Sequence, residues 1–231
     1  MKNGKKSLWR ICTAIMAKDT EDAISKMRQV AVDTDLLEIR LDAMEAFDLA
    51  AIIDNSPCPL VVTCRSHKEG GKNRVDEEKR AEIFRQAIDK GADFVDIELS
   101  MPYRLRKNLT ALRGKTQIII STHLFEPVSF HGLEQLVLKI FEAGADVGKL
   151  IGYAADWDDN LNFLSLVNAQ KKSGNSLISF AMGPYGRPSR IMSPVMGAPW
   201  TYAALSEDQQ SAPGQLTVKE LRHIWGKIYG N

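Results

Sequence analysis

A lysine lies within a short apolar run in the second half of the chain. Lys149 belongs to the run Val-Gly-Lys-Leu-Ile, which follows Gly-Ala-Asp, so the segment 144–152 predicts a helix end, a tight turn and a buried strand. Burial disfavours the charged ammonium and favours the neutral amine, which attacks carbonyl carbons and forms Schiff bases. Such a lysine more often reaches water or pairs with a carboxylate. Whether Lys149 is a nucleophile therefore has to be judged from the other residues of the chain.

Charged and polar side chains also mark the ends of the other predicted strands. They are Glu38 and Arg40 on the second, Arg65 and Glu69 at and after the third, Glu98 on the fourth, His123 on the fifth, Arg190 after the seventh, and Ser211 and Gln215 after the eighth. Each has an ordinary alternative: Glu38 and Arg40 as a structural ion pair, Glu98 as the partner of a buried arginine. Buried charge is costly unless it is paired or used, so the joint pattern favours a functional site.

These side chains suggest a specific chemistry. Lys149 would condense with a ketone, and the resulting iminium would acidify a neighbouring C–H bond. His123 would take that proton, and Glu69 would hydrogen-bond His123 and hold its tautomer. The arginines suit an anionic carboxylate. The sequence therefore predicts proton abstraction beside a ketone, followed by loss of a β-substituent, on a small carboxylated substrate and without a metal or organic cofactor.

Strands alternate with helices along the whole chain. Strands are predicted at 8–17, 36–42, 59–65, 94–99, 117–123, within 144–152, at 176–183 and at 200–204; helices are predicted from the N-cap Thr20, at 76–90, after Pro102, at 130–143, 157–171 and 217–229, and a loop carries Arg187, Pro188 and Arg190. The pattern, with two similar helix–Gly-Ala-Asp–strand units, predicts a parallel sheet closed into a (β/α)8 TIM barrel, a single domain over 1–231 with a loose tail at 1–7. A doubly wound sheet is the alternative, although no GxGxxG follows the first strand. In a barrel, the active site lies at the carboxyl ends of the strands.

Composition narrows the class of protein. The 231 residues carry a formal net charge of +1, which argues against binding to nucleic acid or a membrane surface. Cys12, Cys58 and Cys64 have no metal-type spacing and are expected to be reduced thiols in a cytoplasmic protein. No apolar run is long enough to span a bilayer, and the basic N-terminus lacks the apolar region of a signal peptide.

Seven motifs, in order along the chain, carry a resemblance to a known family. They are LLEIRLD, TCRSHKEGG, GADFVDIEL, IIISTHLFEP, GADVGKL, FAMGPYGRPSR and SAPGQ. With this order and spacing, nearly the whole chain resembles type I 3-dehydroquinate dehydratase, the Schiff-base barrel enzyme of the shikimate pathway. The resemblance implies conversion of 3-dehydroquinate to 3-dehydroshikimate and water, without a cofactor, by a homodimer.

The resemblance also implies a role for each site residue. Lys149 would be the Schiff-base lysine, His123 the general acid and base at C2 and C1, and Glu69 its partner. Arg190 would bind the substrate carboxylate, and Met182 would pack against the ring. The residues that would contact ring hydroxyls or organise the site are Glu38, Arg40, Arg65, Ser211 and Gln215.

Two departures and two alternatives complete the prediction. Thr122 stands where the family often has tyrosine. Few residues precede the first strand, so the N-terminal hairpin that closes the barrel floor in many members is expected to be short or absent, with Leu8 and Trp9 covering the floor. The loop 205–215 is expected to be mobile when empty and to close over substrate. A class I aldolase would instead place a phosphate near 183–186, and a non-catalytic metabolite-binding barrel would not need both Lys149 and His123.

Overall fold

The chain folds into one ring of parallel strands surrounded by helices. The computed structural model describes residues 9–212 and 214–229. The strands are β1 Ile11–Ile15, β2 Leu36–Arg40, β3 Leu60–Thr63, β4 Phe94–Glu98, β5 Gln117–His123, β6 Val147–Tyr153, β7 Leu177–Met182 and β8 Thr201–Ala204. The helices are α1 Thr20–Val30, α2 Leu49–Asp54, α3 Glu77–Asp89, α4 Tyr103–Leu112, α5 Phe130–Glu142, α6 Asp159–Lys172, α7 Arg187–Met196 and α8 Val218–Tyr229, with short 3-10 turns at Leu41–Ala43, His67–Glu69 and Glu207–Gln209.

The strands form an eight-stranded sheet in the order β7-β6-β5-β4-β3-β2-β1-β8. Each strand from β1 to β7 pairs in parallel with its chain neighbours, and β8 returns to pair with β1. Within the described part of the chain, no ladder joins β7 to β8, so the barrel is nearly closed. The predicted (β/α)8 barrel is confirmed, and the doubly wound alternative is wrong.

The repeated Gly-Ala-Asp has a structural cause. Gly91 and Gly144 follow α3 and α5 with φ of +76° and +89°, the left-handed conformation that ends a helix at little cost for glycine. The aspartate of each repeat then accepts a backbone hydrogen bond from the start of the preceding strand: Asp93 from Leu60, and Asp146 from Ile118. Each repeat therefore stops a helix and fixes the register of two adjacent strands.

Apolar side chains close the amino-terminal end of the barrel. Trp200 packs edge-on against Phe94 with ring centroids 5.2 Å apart, and the Arg10 guanidinium lies 5.8 Å from the centre of the Trp200 ring. Trp9 instead packs against Trp225 of α8, at 5.6 Å between ring centroids, in the apolar cluster between the helices and the sheet, so its predicted role in covering the floor stays a prediction. The predictions for the tail at 1–7, the hairpin and Leu8 lie outside the described residues.

Two local predictions are wrong, and one short helix was missed. Helix α1 is capped by Asp19, whose carboxylate accepts the Asp22 N–H, because the Thr20 hydroxyl instead accepts a hydrogen bond from the Asp48 N–H. The six-residue helix α2 was not predicted. The segment with Arg187 and Arg190 is helix α7 rather than a loop, because a proline in the first helical turn costs no hydrogen bond and Pro194 falls near the helix end.

Candidate active site

One cavity, of about 170 Å³, opens at the carboxyl ends of the strands. All ten residues predicted for the site line it: Glu38, Arg40, Arg65, Glu69, His123, Lys149, Met182, Arg190, Ser211 and Gln215. The residues that were not predicted are Gly70, Phe125, Ile151, Phe180, Tyr202 and Ala212. The structure therefore brings all ten residues together, whereas the prediction that they form the active site, with the roles assigned to them, stays a prediction.

Lys149 is held in the barrel interior by two carboxylates and an aromatic ring. Its Nζ lies 2.8 Å from Oδ2 of Asp96 and 3.2 Å from Oε1 of Glu38. Nζ also lies 4.1 Å from the centre of the Tyr202 ring, within the range of a cation–π interaction. The side chain is buried and does not reach solvent around the sheet, so the amine faces the cavity.

Arg40 does not pair with Glu38, so the ion pair considered from their spacing is wrong. Arg40 donates from both Nε and Nη2 to the carboxylate of Asp42, at 2.8 Å each. The 3-10 turn that follows β2 brings Asp42 back beneath Arg40. Asp42 also accepts the backbone N–H groups of Arg65 and Lys72. One buried carboxylate therefore orients Arg40 and ties the loop after β3 to the end of β2.

Glu69 and His123 form the predicted pair. Oε2 of Glu69 lies 3.0 Å from both the backbone nitrogen and Nδ1 of His123, and Oε1 accepts a hydrogen bond from the Ser100 hydroxyl at 2.7 Å. An ionised Glu69 accepts from Nδ1–H, which leaves Nε2 as the unprotonated nitrogen of the ring. This arrangement makes His123 a candidate general base.

Burial shifts the ionisation of both members of this pair. Burial and then the neighbouring Glu98 raise the pKa of Glu69 to about 7. Burial and then the cations Arg65 and Lys149 hold the pKa of His123 well below 6.5. His123 is therefore neutral at neutral pH, the state that a base requires.

A buried network of alternating charges lies beneath the cavity. Arg65 reaches Asp96 at 2.8 Å and Glu98 at 3.2 Å, and Arg80 reaches the other oxygen of Glu98 at 2.9 Å. Burial alone would raise the pKa of Asp96, but Arg65 and Lys149 hold it well below its usual range. Glu98 thus has the structural role considered for it, as the partner of buried arginines.

Arg190 differs from the other buried cations. It is 2% exposed, and neither its Nε nor its Nη2 has a hydrogen-bond partner among the residues that the structure describes. The guanidinium carbon lies 4.5 Å from the centre of the Phe180 ring, and burial lowers the pKa of Arg190 to about 10. A buried guanidinium without an ion-pair partner is suited to bind an anionic group in the cavity.

The segment after β8 forms another wall. Oε1 of Gln215 accepts hydrogen bonds from the backbone N–H and the hydroxyl of Ser211, at 2.8 and 3.1 Å. Gln215 is 2% exposed although it belongs to a loop. The exposed Phe125 and the buried Met182 supply apolar surface to the same cavity. The mobility predicted for 205–215 stays a prediction.

Sequence reasoning missed Asp96 although the signal was present. Asp96 and Glu98 are two residues apart on β4 and therefore share the inward face. Only Glu98 was singled out, yet Asp96 is the acid nearest the lysine. Asp42 was missed in the same way, as the second acid two residues from Arg40.

Among the described residues, no group of three or more His, Cys, Asp or Glu could hold a metal ion, and no helix is long and apolar enough to cross a bilayer.

Comparison with known proteins identifies the family. A model of the type I 3-dehydroquinase family matches residues 11–231. The chain is also 34% identical to the 3-dehydroquinate dehydratase of Pyrococcus abyssi over 221 residues, which cover 95% of this chain and 98% of that protein. The chain belongs to the type I 3-dehydroquinase family. The resemblance drawn from the seven motifs is confirmed.

Relatives in this family differ in length. The bifunctional 3-dehydroquinate dehydratase/shikimate dehydrogenase of Arabidopsis thaliana is 33% identical over 239 residues, and the match covers 95% of this chain but 38% of that protein. The crystal structure of 3-dehydroquinate dehydratase from Geobacillus kaustophilus superposes with a TM-score of 0.88 at 23% identity, over 99% of this chain and 94% of that one. The superposition confirms the barrel of the type I 3-dehydroquinase fold.

Proposed function

We propose that this type I 3-dehydroquinase is a carbon–oxygen lyase that converts 3-dehydroquinate to 3-dehydroshikimate and water in the shikimate pathway. The observation that carries the proposal is that a buried lysine, a neutral histidine with a carboxylate partner and an unpaired buried arginine face one small cavity. These groups supply a nucleophile, a base and an anion site. Family membership favours this reaction over a Schiff-base aldolase or a non-catalytic barrel.

The first step joins Lys149 to the substrate ketone. The ammonium first loses one proton to solvent, and the lone pair of Nζ then forms the C–N bond. The carbonyl oxygen takes one proton from the nitrogen and one from solvent and leaves as water, so a protonated imine with a single N–H remains. Nζ sits between two acids and an aromatic ring. These neighbours stabilise a positive charge at nitrogen in both the ammonium and the iminium.

His123 then moves one proton twice. Nε2 takes a proton from C2, the electron pair of that C–H bond passes into the iminium, and an enamine forms. The enamine nitrogen returns the pair and expels the C1 hydroxyl, which receives the proton from His123 and leaves as water. Water hydrolyses the new iminium, releases the ketone product and restores Lys149, so the net change is the loss of one water.

The remaining residues hold the substrate. Arg190 would bind the carboxylate, because it is a buried cation whose Nε and Nη2 lack hydrogen-bond partners among the described residues. Glu38, Arg40, Ser211 and Gln215 would contact ring hydroxyls, and Arg65 would organise Asp96. Met182 would pack on the ring face.

We also propose that the protein is a cytoplasmic homodimer, and light scattering of the purified protein tests the oligomeric state.

The proposal is tested by reductive trapping. Borohydride added during incubation with 3-dehydroquinate should give a mass adduct that peptide mapping places on Lys149, together with formation of 3-dehydroshikimate. Lys149→Ala should abolish the adduct and lower turnover by at least about 10⁴-fold. Lys139→Ala, at an exposed position of α5, is the matched control and should keep both. Unchanged substrate and no adduct in the wild-type protein would refute the proposed function.

A further inference from the structure

Asp96 is the acidic group closest to the amine that would form the Schiff base. Its Oδ2 lies 2.8 Å from Nζ of Lys149 and 2.8 Å from Nη2 of Arg65, and Oδ1 accepts a hydrogen bond from the Ser121 hydroxyl. The Ser121 oxygen in turn accepts from Nη1 of Arg65 at 2.8 Å. Asp96 is 1% exposed. The carboxylate therefore cannot rotate without breaking contacts at both oxygens.

Glu38, the second acid beside Lys149, is held less firmly. Its Oε1 lies farther from Nζ, at 3.2 Å, and the same oxygen accepts a hydrogen bond from Thr63 at 3.0 Å. Glu38 also lines the cavity. Asp96 therefore offers the shorter contact on a fixed carboxylate, and Glu38 the longer contact on a carboxylate that faces the substrate.

Condensation changes what the nitrogen can offer to these two acids. An ammonium has three N–H bonds and can satisfy both carboxylates, but a protonated imine keeps a single N–H in the plane of its C=N bond. Only one carboxylate can retain it. Resting on the proposed Schiff-base chemistry, we propose that Asp96 keeps this N–H as counter-ion of the iminium and fixes the plane of C=N, while Glu38 is released towards the substrate.

The orientation of this plane decides which proton is acidic. A C–H bond next to an iminium is weakened when it lies parallel to the π orbital, which is perpendicular to the plane of C=N. Fixing the N–H on Oδ2 of Asp96 therefore presents one of the two C2 hydrogens to His123 and withholds the other. Asp96 becomes a catalytic residue that sets stereoselectivity, and Ser121 a positioning residue that acts through it.

Asp96→Asn tests the proposal because it keeps the shape of the side chain and removes its charge. Two substrates, each with deuterium at one of the two C2 positions, report which hydrogen is lost. We expect kcat to fall on the order of 100-fold or more with KM changed less than about threefold, and the two labelled substrates to lose label in comparable amounts. Asp35→Asn is the matched control, since Asp35 pairs with Arg222 at 2.7 Å beside the start of β1, and it should leave rate and selectivity unchanged.

Ser121→Ala is the second variant, because it keeps the charge of Asp96 and removes only the contact to Oδ1. We expect the borohydride adduct to persist, kcat to fall about tenfold and selectivity at C2 to weaken. The proposal is overturned if the Asp96→Asn protein folds and keeps the rate and the C2 selectivity of the wild type. If Asp96→Asn does not fold, wild-type rate and selectivity in Ser121→Ala overturn it instead. Failure of the proposed function is distinguishable, because the wild-type protein itself would then give neither adduct nor product.

Discussion

Replacing Arg190 by methionine should weaken substrate binding and stabilise the empty protein. The guanidinium is 2% exposed, and burial lowers its pKa from an ordinary 12.5 to about 10. A fall of about 2.5 units at 1.36 kcal/mol per unit corresponds to a burial cost of about 3 kcal/mol. Because the folded-state pKa is depressed, this cost is present at every pH below about 10, including neutral pH.

The gain in stability is smaller than that cost. The guanidinium lies 4.5 Å from the Phe180 ring, and losing this cation–π contact removes about 1 kcal/mol. Methionine fills much of the same volume with an apolar chain. We therefore expect Arg190→Met to raise the free energy of unfolding of the empty protein by about 2 kcal/mol, measured in urea at pH 7.

Binding of substrate should change in the opposite direction. Truncating one partner of a buried, hydrogen-bonded charge pair costs about 2–5 kcal/mol, or roughly 30- to 4,000-fold in kcat/KM. Arg187→Met is the matched control, because Arg187 lies on the same helix, α7, but is exposed, and it should change neither quantity much. The assignment of Arg190 as the anion-binding residue would be refuted if the empty Arg190→Met protein were less stable than the wild type. It would also be refuted if kcat/KM changed by less than threefold.

Two further predictions concern the loop after β3. The pKa of Glu69 is raised from 4.5 to about 7, so the folded protein binds this proton more tightly than the unfolded chain does. The group therefore removes up to about 3 kcal/mol of stability as pH rises from about 4.5 to 7. Glu69→Gln should abolish that part of the pH dependence of urea unfolding, and identical profiles for the two proteins would contradict the prediction. A Cβ at Gly71 would collide with the carbonyl of Arg65, whereas one at Gly226 in α8 meets nothing within 4 Å. Gly71→Ala should displace Glu69 and lower kcat by at least about tenfold, while Gly226→Ala, the control, should stabilise α8 by about 1 kcal/mol.

How far the sequence predicted the fold depends on the local signal. Strand β5 was predicted with its observed bounds, because the run of three isoleucines is preceded by Gly-Lys-Thr-Gln and followed by the polar residues Ser-Thr-His. Helix α7 was mistaken for a loop, because glycine and proline, here Gly186, Pro188 and Pro194, usually mark turns or the ends of helices. Pro188 lies in the first helical turn, where no N–H is needed, a distinction that only the position of the helix start reveals.

Within the site, the sequence predicted the pair of Glu69 and His123 but not the partner of Arg40. Glu38, Arg40 and Asp42 alternate along the chain, so Arg40 has an acid two residues away on either side. Strand β2 ends at Arg40, and the next turn redirects Asp42 to make the two-pronged pair. Glu38 is thereby left for Lys149. The choice depends on where the strand ends, which is the least predictable feature of an element.

The arrangement of charge explains how a substrate would be oriented. Arg40, Arg65 and Lys149 each have a carboxylate of the protein within 3.2 Å, whereas Arg190, on the helix that follows β7, has no acid within ion-pair distance among the described residues. The carboxylates at the ends of β2 to β4 are already paired with these cations, so the guanidinium of Arg190 is the positive group left to attract an anionic substrate. Arg190 and Lys149 line the same small cavity, so a substrate whose carboxylate binds Arg190 would have its ketone left for Lys149. The missing partner of one arginine therefore fixes which end of the substrate meets the amine.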